Sequence, residues 1–140
     1  MRIALLSLVL LALVGCASNI EPCPALNGIY DVDCTISGVY DNGNMELWDE
    51  EHTLEIASGH LRFPRPSCET PLILAGESFV SGSTEPCVVD PYRTDTMRSV
   101  TGSLTCDGML TIEIEQDVVM TNAEVTTRIE RTWVCRGLHR

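Results

Sequence analysis

An all-β fold is what this sequence predicts: roughly eight antiparallel strands in an up-and-down meander. Three observations predict it. Apolar and polar residues alternate with period two along most of the chain, the pattern of strands with one wet face. Turn signals recur at short intervals, at Asn42-Gly43, Ser58-Gly59, Ala75-Gly76 and Asp107-Gly108. No stretch has the helical period that crossovers between parallel strands need. The expected architecture for residues 27–140 is a small disulfide-stabilised up-and-down barrel, with a β-sandwich as the alternative.

The elements follow in order. Over Ile29–Tyr40, Tyr30, Val32, Cys34 and Ile36 share an inner face, and Asp31, Asp33, Thr35 and Ser37 share an outer one. A two-residue turn on Asn42-Gly43 sets Tyr40 opposite Met45 and Gly38 opposite Leu47. Leu54 and Ile56 then fall out of phase with Met45 and Leu47, so a β-bulge is expected at Asp49–His52. A turn at Ser58-Gly59 sets Ile56 opposite Leu61 and Leu54 opposite Phe63. Pro64 and Pro66 end that strand. Leu72–Leu74 and Ser78–Val80 form a third hairpin. Residues 81–95, rich in Gly, Pro, Ser and Thr, read as a long loop with a short strand at Val88-Val89. Met97–Cys106, Leu110–Met120 and Val125–Cys135 form a closing meander. A turn at Asp107-Gly108-Met109 sets Cys106 opposite Leu110 and Leu104 opposite Ile112. The next turn lies at Thr121-Asn122-Ala123. On the last strand Val125, Thr127, Ile129, Arg131, Trp133 and Cys135 share one face.

The N-terminus reads differently. Arg2 is followed by the thirteen residues Ile3–Gly15, of which only Ser7 is polar. At about 1.5 Å rise per residue a helix of this length falls well short of the ~30 Å hydrocarbon core, so a secretory signal fits better than a membrane span. Its end, Leu13-Val14-Gly15-Cys16, resembles a bacterial lipobox at every position. The resemblance implies cleavage before Cys16 and a lipid on its sulfur. Residues 1–15 are then the signal peptide and residues 16–26 a lipidated tether. Ala17 and Ser18 follow the cysteine, and in lipoproteins of this kind that points to the outer membrane.

Without residues 1–15 the chain has 140 − 15 = 125 residues, and losing Arg2 takes the net charge from −11 to −12. All nine basic residues are arginine. So acidic a domain is a poor partner for nucleic acid or anionic lipid and a good one for a basic protein. Seven cysteines less Cys16 leave Cys23, Cys34, Cys68, Cys87, Cys106 and Cys135. An even number in an exported chain reads as three disulfides. The preferred pairing is Cys68–Cys87, across the third hairpin, with Cys23–Cys135 tying the chain ends and Cys34–Cys106 remaining. No Cys-x-x-Cys occurs, so neither zinc nor a dithiol redox pair is expected.

Little else carries chemistry. Asp41, Asn42, Asn44, Glu46, Asp49, Glu50, Glu51 and His52 are rich in oxygen but lack the EF-hand spacing, and read as an acidic hairpin that discourages edge pairing. His52 and His60, expected on neighbouring strands, are weak as a metal pair. Glu113, Glu115 and Glu130 read as the wet face of strands. No nucleophile elbow, zincin motif or phosphate loop occurs. Gly28-Ile29-Tyr30 on the first strand, with Arg131 and Trp133 on the last, is weakly similar to lipocalins, in which a late Arg packs on an early aromatic. That resemblance implies a barrel for a small apolar ligand. The expectation is a non-catalytic, lipid-anchored ligand- or protein-binding module without cofactor or metal. The alternative is an acidic inhibitor of a basic extracytoplasmic enzyme, similar in class to periplasmic lysozyme inhibitors, and a hydrolase ranks last.

Overall fold

The computed structural model describes residues 23–63, 68–82 and 85–140. The signal peptide, Cys16 and most of the tether lie outside these residues. Nine strands run in chain order: β1 Gly28–Tyr40, β2 Met45–Ala57, β3 His60–Arg62, β4 Glu69–Ala75, β5 Ser78–Ser81, β6 Pro86–Asp90, β7 Arg93–Leu104, β8 Met109–Thr121 and β9 Thr126–His139. All pairings are antiparallel. They form one sheet in the order β5-β4-β3-β2-β1-β9-β8-β7-β6, and a β5–β7 pairing closes eight of the strands into a ring. The closing contact is Phe79 opposite Gly102. A Cβ on Gly102 would overlap the Phe79 ring, so the missing side chain makes the room that Phe79 fills.

The ring is closed at one end only. β3, β4 and β5 are three to seven residues long, and the five strands β1, β2, β7, β8 and β9 are twelve to fourteen. The short strands cover the lower half, where Tyr30, Leu54, Ile56, Leu61, Phe79, Leu110, Ile112 and Ile114 are all essentially inaccessible. Side chains fill that end, as expected of a narrow barrel. In the upper half, among the described residues, no strand pairing joins β2 to β6, and the Cys68–Cys87 disulfide ties β6 to the segment before β4. β2 pairs with β3 only over Glu55–Ala57, so Met45–Leu54 have β1 as their sole strand neighbour among the described residues. This free edge carries Glu46, Asp49, Glu50 and Glu51, whose charges oppose strand addition.

Three turns differ from the sequence reading; at β8–β9 Thr121 pairs with Thr126, so the loop is residues 122–125 and Val125 lies exposed outside β9. The β1–β2 turn holds three residues, Asp41-Asn42-Gly43, with Tyr40 N–H donating to Asn44 O at 2.9 Å and Gly43 N–H to Tyr40 O at 2.9 Å. Gly43 takes φ 83°, the left-handed position that ends a three-residue loop. Val39 therefore faces Met45 and Ser37 faces Leu47, one residue off the expected pairing. The expected bulge at Asp49–His52 is absent, because the pairing runs unbroken from Met45 to Ile56. Met45 and Leu47 point outward, each 73% exposed, and Glu46, Trp48, Glu50 and His52 take the inner face. The β7–β8 turn is also one residue early, at Cys106-Asp107-Gly108, with Leu104 opposite Leu110 and Gly108 at φ 85°.

The β7–β8 shift explains the disulfides. Cys68–Cys87 forms as expected, but the other two bridges are Cys23–Cys106 and Cys34–Cys135. Cys34 and Cys135 lie directly opposite on β1 and β9, both inward and buried, with Cα atoms 4.0 Å apart. Cys106 belongs to an exposed turn rather than to a strand, out of reach of the inner face. It is taken instead by Cys23, the residue that ends the tether.

Candidate functional site

The open upper end concentrates polar side chains on the inside of the wall. Register places Trp48, Glu50 and His52 of β2, Tyr40 of β1, Arg131 and Trp133 of β9, Gln116 of β8 and Arg93 and Asp95 of β7 on this face. β7 contributes through a bulge between Met97 and Ser99. Below it Val100 and Leu104 point inward; above it the phase flips, and Asp95 does.

The floor is a connected hydrogen-bond network. Asp95 and Gln116 are each 1% exposed. Arg93 donates to both carboxylate oxygens of Asp95, from Nε and Nη2, each at 2.8 Å. Gln116 Nε2 donates to Asp95 Oδ2 at 2.8 Å, and Gln116 Oε1 accepts from Trp133 Nε1 at 2.9 Å. A buried carboxylate, amide and indole thus satisfy one another, which is the condition for keeping them out of water. The bonds to Asp95 raise the basicity of Arg93 above its ordinary value, against the opposing effect of burial.

Above the floor lies a second arginine. Arg131 sits on β9 opposite Gly38 of β1. Trp48, one strand further, reaches across β1 at this glycine, where a Cβ would lie 3.5 Å from its ring. The Arg131 guanidinium stacks 5.5 Å from the Trp48 ring centroid, within cation–π range. Burial, then the nearby Arg93, push its basicity down; Asp95, Tyr40 and Glu46 oppose this. Arg131 forms no ion pair with any described carboxylate. Its buried Nε–H has no acceptor among the described residues. His52 packs 5.1 Å from Trp133, and its Nε2 is 3.5 Å from Glu50 Oε2, too poorly placed for a hydrogen bond. Phe63 approaches Trp133 from the other side at 6.1 Å. On the rim, Tyr40 donates to Glu46 Oε2 at 2.7 Å, and this bond raises the Tyr40 phenol above its usual value.

Other expectations resolve as follows. Arg131 does not pack on Tyr30: it lies opposite Gly38, and Tyr30 instead meets His139 edge-on at 5.2 Å, its hydroxyl donating to Leu26 O at 2.7 Å. His52 and His60 do not converge, since His60 pairs with Ala57 at the turn. Cys23, Glu77 and Cys106 cluster, but both sulfurs are spent on each other. The acidic residues of β1 and β2 form an outer stripe, with Asp33 opposite Glu51 and Thr35 opposite Asp49. Shallow clefts of about 470 and 300 Å³ run along it. A half-open pocket of about 310 Å³, lined by Ile29, Leu54 and Phe63 and rimmed by Glu55, Arg62 and Glu69, opens where β2 parts from β3.

The alternation in the sequence predicts a shared face for Arg131 and Trp133 but does not mark Asp95, Arg93, Gln116 or Trp48 as their partners. Gln116 was accessible, being in phase with Ile112 and Ile114. No protein-family model, curated protein or solved structure matches this chain.

Proposed function

We propose that the chain is a non-catalytic binding module, lipid-anchored through Cys16 outside the cytoplasm. The observation that carries this is the division of the barrel into a packed lower end and an open upper end whose inner wall is built from a satisfied polar network and stacked aromatics. Polar groups held this rigidly suit recognition. Among the described residues the one buried carboxylate, Asp95, is occupied by three hydrogen bonds, which suits a structural part in the floor better than proton transfer. Three disulfides support an oxidising compartment. The Cys23–Cys106 bridge fastens the tether to the β7–β8 turn at the packed end. With only six residues between Cys16 and Cys23, or about 25 Å of fully extended chain from one cysteine to the other, the open mouth then faces away from the membrane.

Expression of the full chain and of Cys16→Ser tests the anchor: the wild type should partition with the outer membrane and the variant should be soluble and folded. Membrane attachment that survives Cys16→Ser would refute it. Capture of bound molecules from periplasmic extract, compared with a variant carrying bulk in the mouth (Gly38→Trp), tests the binding reading. An identical captured set would place recognition elsewhere.

A second reading rests on the outer acidic stripe. Like charges directly across a strand pair, such as Asp33 and Glu51, cost stability, and a basic protein would relieve them. Binding to a basic extracytoplasmic hydrolase that disappears at high salt would favour this inhibitor function, and salt-insensitive or absent binding would reject it.

A further inference from the structure

We infer that Arg131 and Trp48 form the recognition site for a small carboxylate-bearing ligand with a flat apolar body, seated in the open mouth of the barrel. The inference rests on the binding-module reading and names the ligand chemistry for it.

The argument begins with charge. The chain carries a net −11, yet the inner wall of the mouth places two guanidinium groups, Arg93 and Arg131, near one buried carboxylate. Asp95 neutralises Arg93 through both of its oxygens, so that fork is closed. Arg131 is left with a charge that no described carboxylate pairs and a buried Nε–H that no described acceptor receives. A donor of this kind takes its acceptor from solvent or from a ligand. Glu46 acts on Arg131 through space without forming an ion pair with it, and its Oε2 accepts from the Tyr40 hydroxyl.

Geometry then selects the ligand. A guanidinium presents two parallel N–H groups along one edge, and a planar carboxylate matches them with two hydrogen bonds. One available guanidinium neutralises one negative charge. A phosphate dianion would bring a second into a mouth rimmed by Glu46 and Glu50. Trp48 holds the guanidinium by stacking, and its indole passes within van der Waals reach of Gly38. Trp48 and His52 are the half-buried flat side chains at the mouth, and Trp133 and Phe63 lie buried beneath them as support. An aromatic acid therefore finds its charge and its ring partners on the same wall.

Both tryptophans of the chain line the site, so intrinsic fluorescence reports occupancy directly. Benzoate is the probe and benzamide its neutral counterpart. Benzoate should bind the wild-type chain with a dissociation constant of about 1 mM, as suits so small a ligand. Benzamide should bind at least about tenfold more weakly. Arg131→Met keeps the apolar stem on Trp48 and should lose benzoate affinity by a similar factor, while Arg136→Met makes the same charge change on the outer face and should leave it unaltered. Arg131→Lys, should the Met variant misfold, keeps the charge but not the fork and should weaken binding severalfold. Equal binding of benzoate and benzamide, wild-type affinity in either Arg131 variant, or no saturable binding of benzoate would overturn the site. In each of these cases the capture comparison with Gly38→Trp still decides whether the mouth binds something else.

Discussion

Gln116→Leu probes whether the floor of the mouth is a dry, fully satisfied network. Gln116 is 1% exposed and bridges two buried groups: the Asp95 carboxylate, 2.8 Å from Nε2, and the Trp133 indole N–H, 2.9 Å from Oε1. Leucine is close in volume, so the change removes hydrogen bonding and leaves little cavity. Loss of a donor to a buried carboxylate costs about 1.5–3 kcal/mol, and stranding the indole N–H costs about 1–3 kcal/mol. The apolar side chain returns about 1–2 kcal/mol of transfer free energy. Asp95 keeps both bonds from Arg93, so its charge is not abandoned. The net expectation is a loss of about 2–3 kcal/mol.

Urea unfolding with the disulfides intact, followed by far-ultraviolet circular dichroism, reads this as a lower midpoint at unchanged slope. A cycle with Trp133→Phe isolates the indole bond. Once the N–H is gone, Gln116→Leu should cost less by about 1–2 kcal/mol. A loss below about 0.5 kcal/mol would mean that water already serves these groups, and the rigid floor invoked for binding would not exist.

Four further outcomes are expected. The Cys34–Cys135 and Cys23–Cys106 bridges span 101 and 83 residues, which chain entropy values at about 4.7 and 4.5 kcal/mol. Because only the first pair is fully buried, its double Ala variant should lose about 1–2 kcal/mol more in the same urea assay, and equal losses would make burial irrelevant. Gly102→Ala should cost about 2–4 kcal/mol, since the new methyl overlaps Phe79 and lies 2.7 Å from Thr111 O; a neutral effect would show that the ring does not close through Phe79. Gly38→Val should displace the Trp48 indole, seen as a shift of its fluorescence, with a stability loss of only about 1 kcal/mol; an unshifted spectrum would separate Trp48 from Arg131. Burial raises the Tyr30 phenol above its ordinary value, so the unfolded chain gives up this proton first. The contribution is complete below about pH 10 and is lost as pH rises through the folded value; Tyr30→Phe should flatten that alkaline decline, and an unchanged slope would assign it to other groups.

What was legible followed from local periodicity. Tyr30, Val32, Cys34 and Ile36, and likewise Ile129, Arg131, Trp133 and Cys135, take the faces that period-two alternation assigns. The Ser58-Gly59 turn was equally readable, because a two-residue loop leaves one register. Of the disulfides, Cys68–Cys87 was legible and the other two were not: Cys106 alternates with Leu104 as a strand residue would, and only the turn geometry takes it off the wall. Asp95 was hidden because Pro91 and the polar run Arg93–Thr96 look like loop, and because the phase that would mark it as inward is reversed at the bulge after Met97.

The open end of this barrel arises from two such local devices acting together. Asn42-Gly43 suits either a two-residue or a three-residue loop, and the choice inverts every β2 side chain above Leu54. With two residues, Met45 and Leu47 would enter the mouth and seal it as apolar core. With three, Trp48 and His52 enter, and the apolar pair is left on the outside. Leu54 and Ile56 already contained the answer, since they share the parity of Trp48 and His52, and an unbroken strand keeps them on one face. On β7 the bulge makes the complementary exchange, bringing in Asp95 where an unbroken phase would bring in Thr94 and Thr96. Neither device is visible in composition. Both act at the end where β3, β4 and β5 are too short to cover the wall, so the polar residues they bring inward meet solvent and ligand rather than a closed core. A one-residue deletion in the Asp41–Gly43 loop should therefore remove the Arg131–Trp48 stack while sparing the packed lower half, because Glu55–Ala57 are held independently by β3.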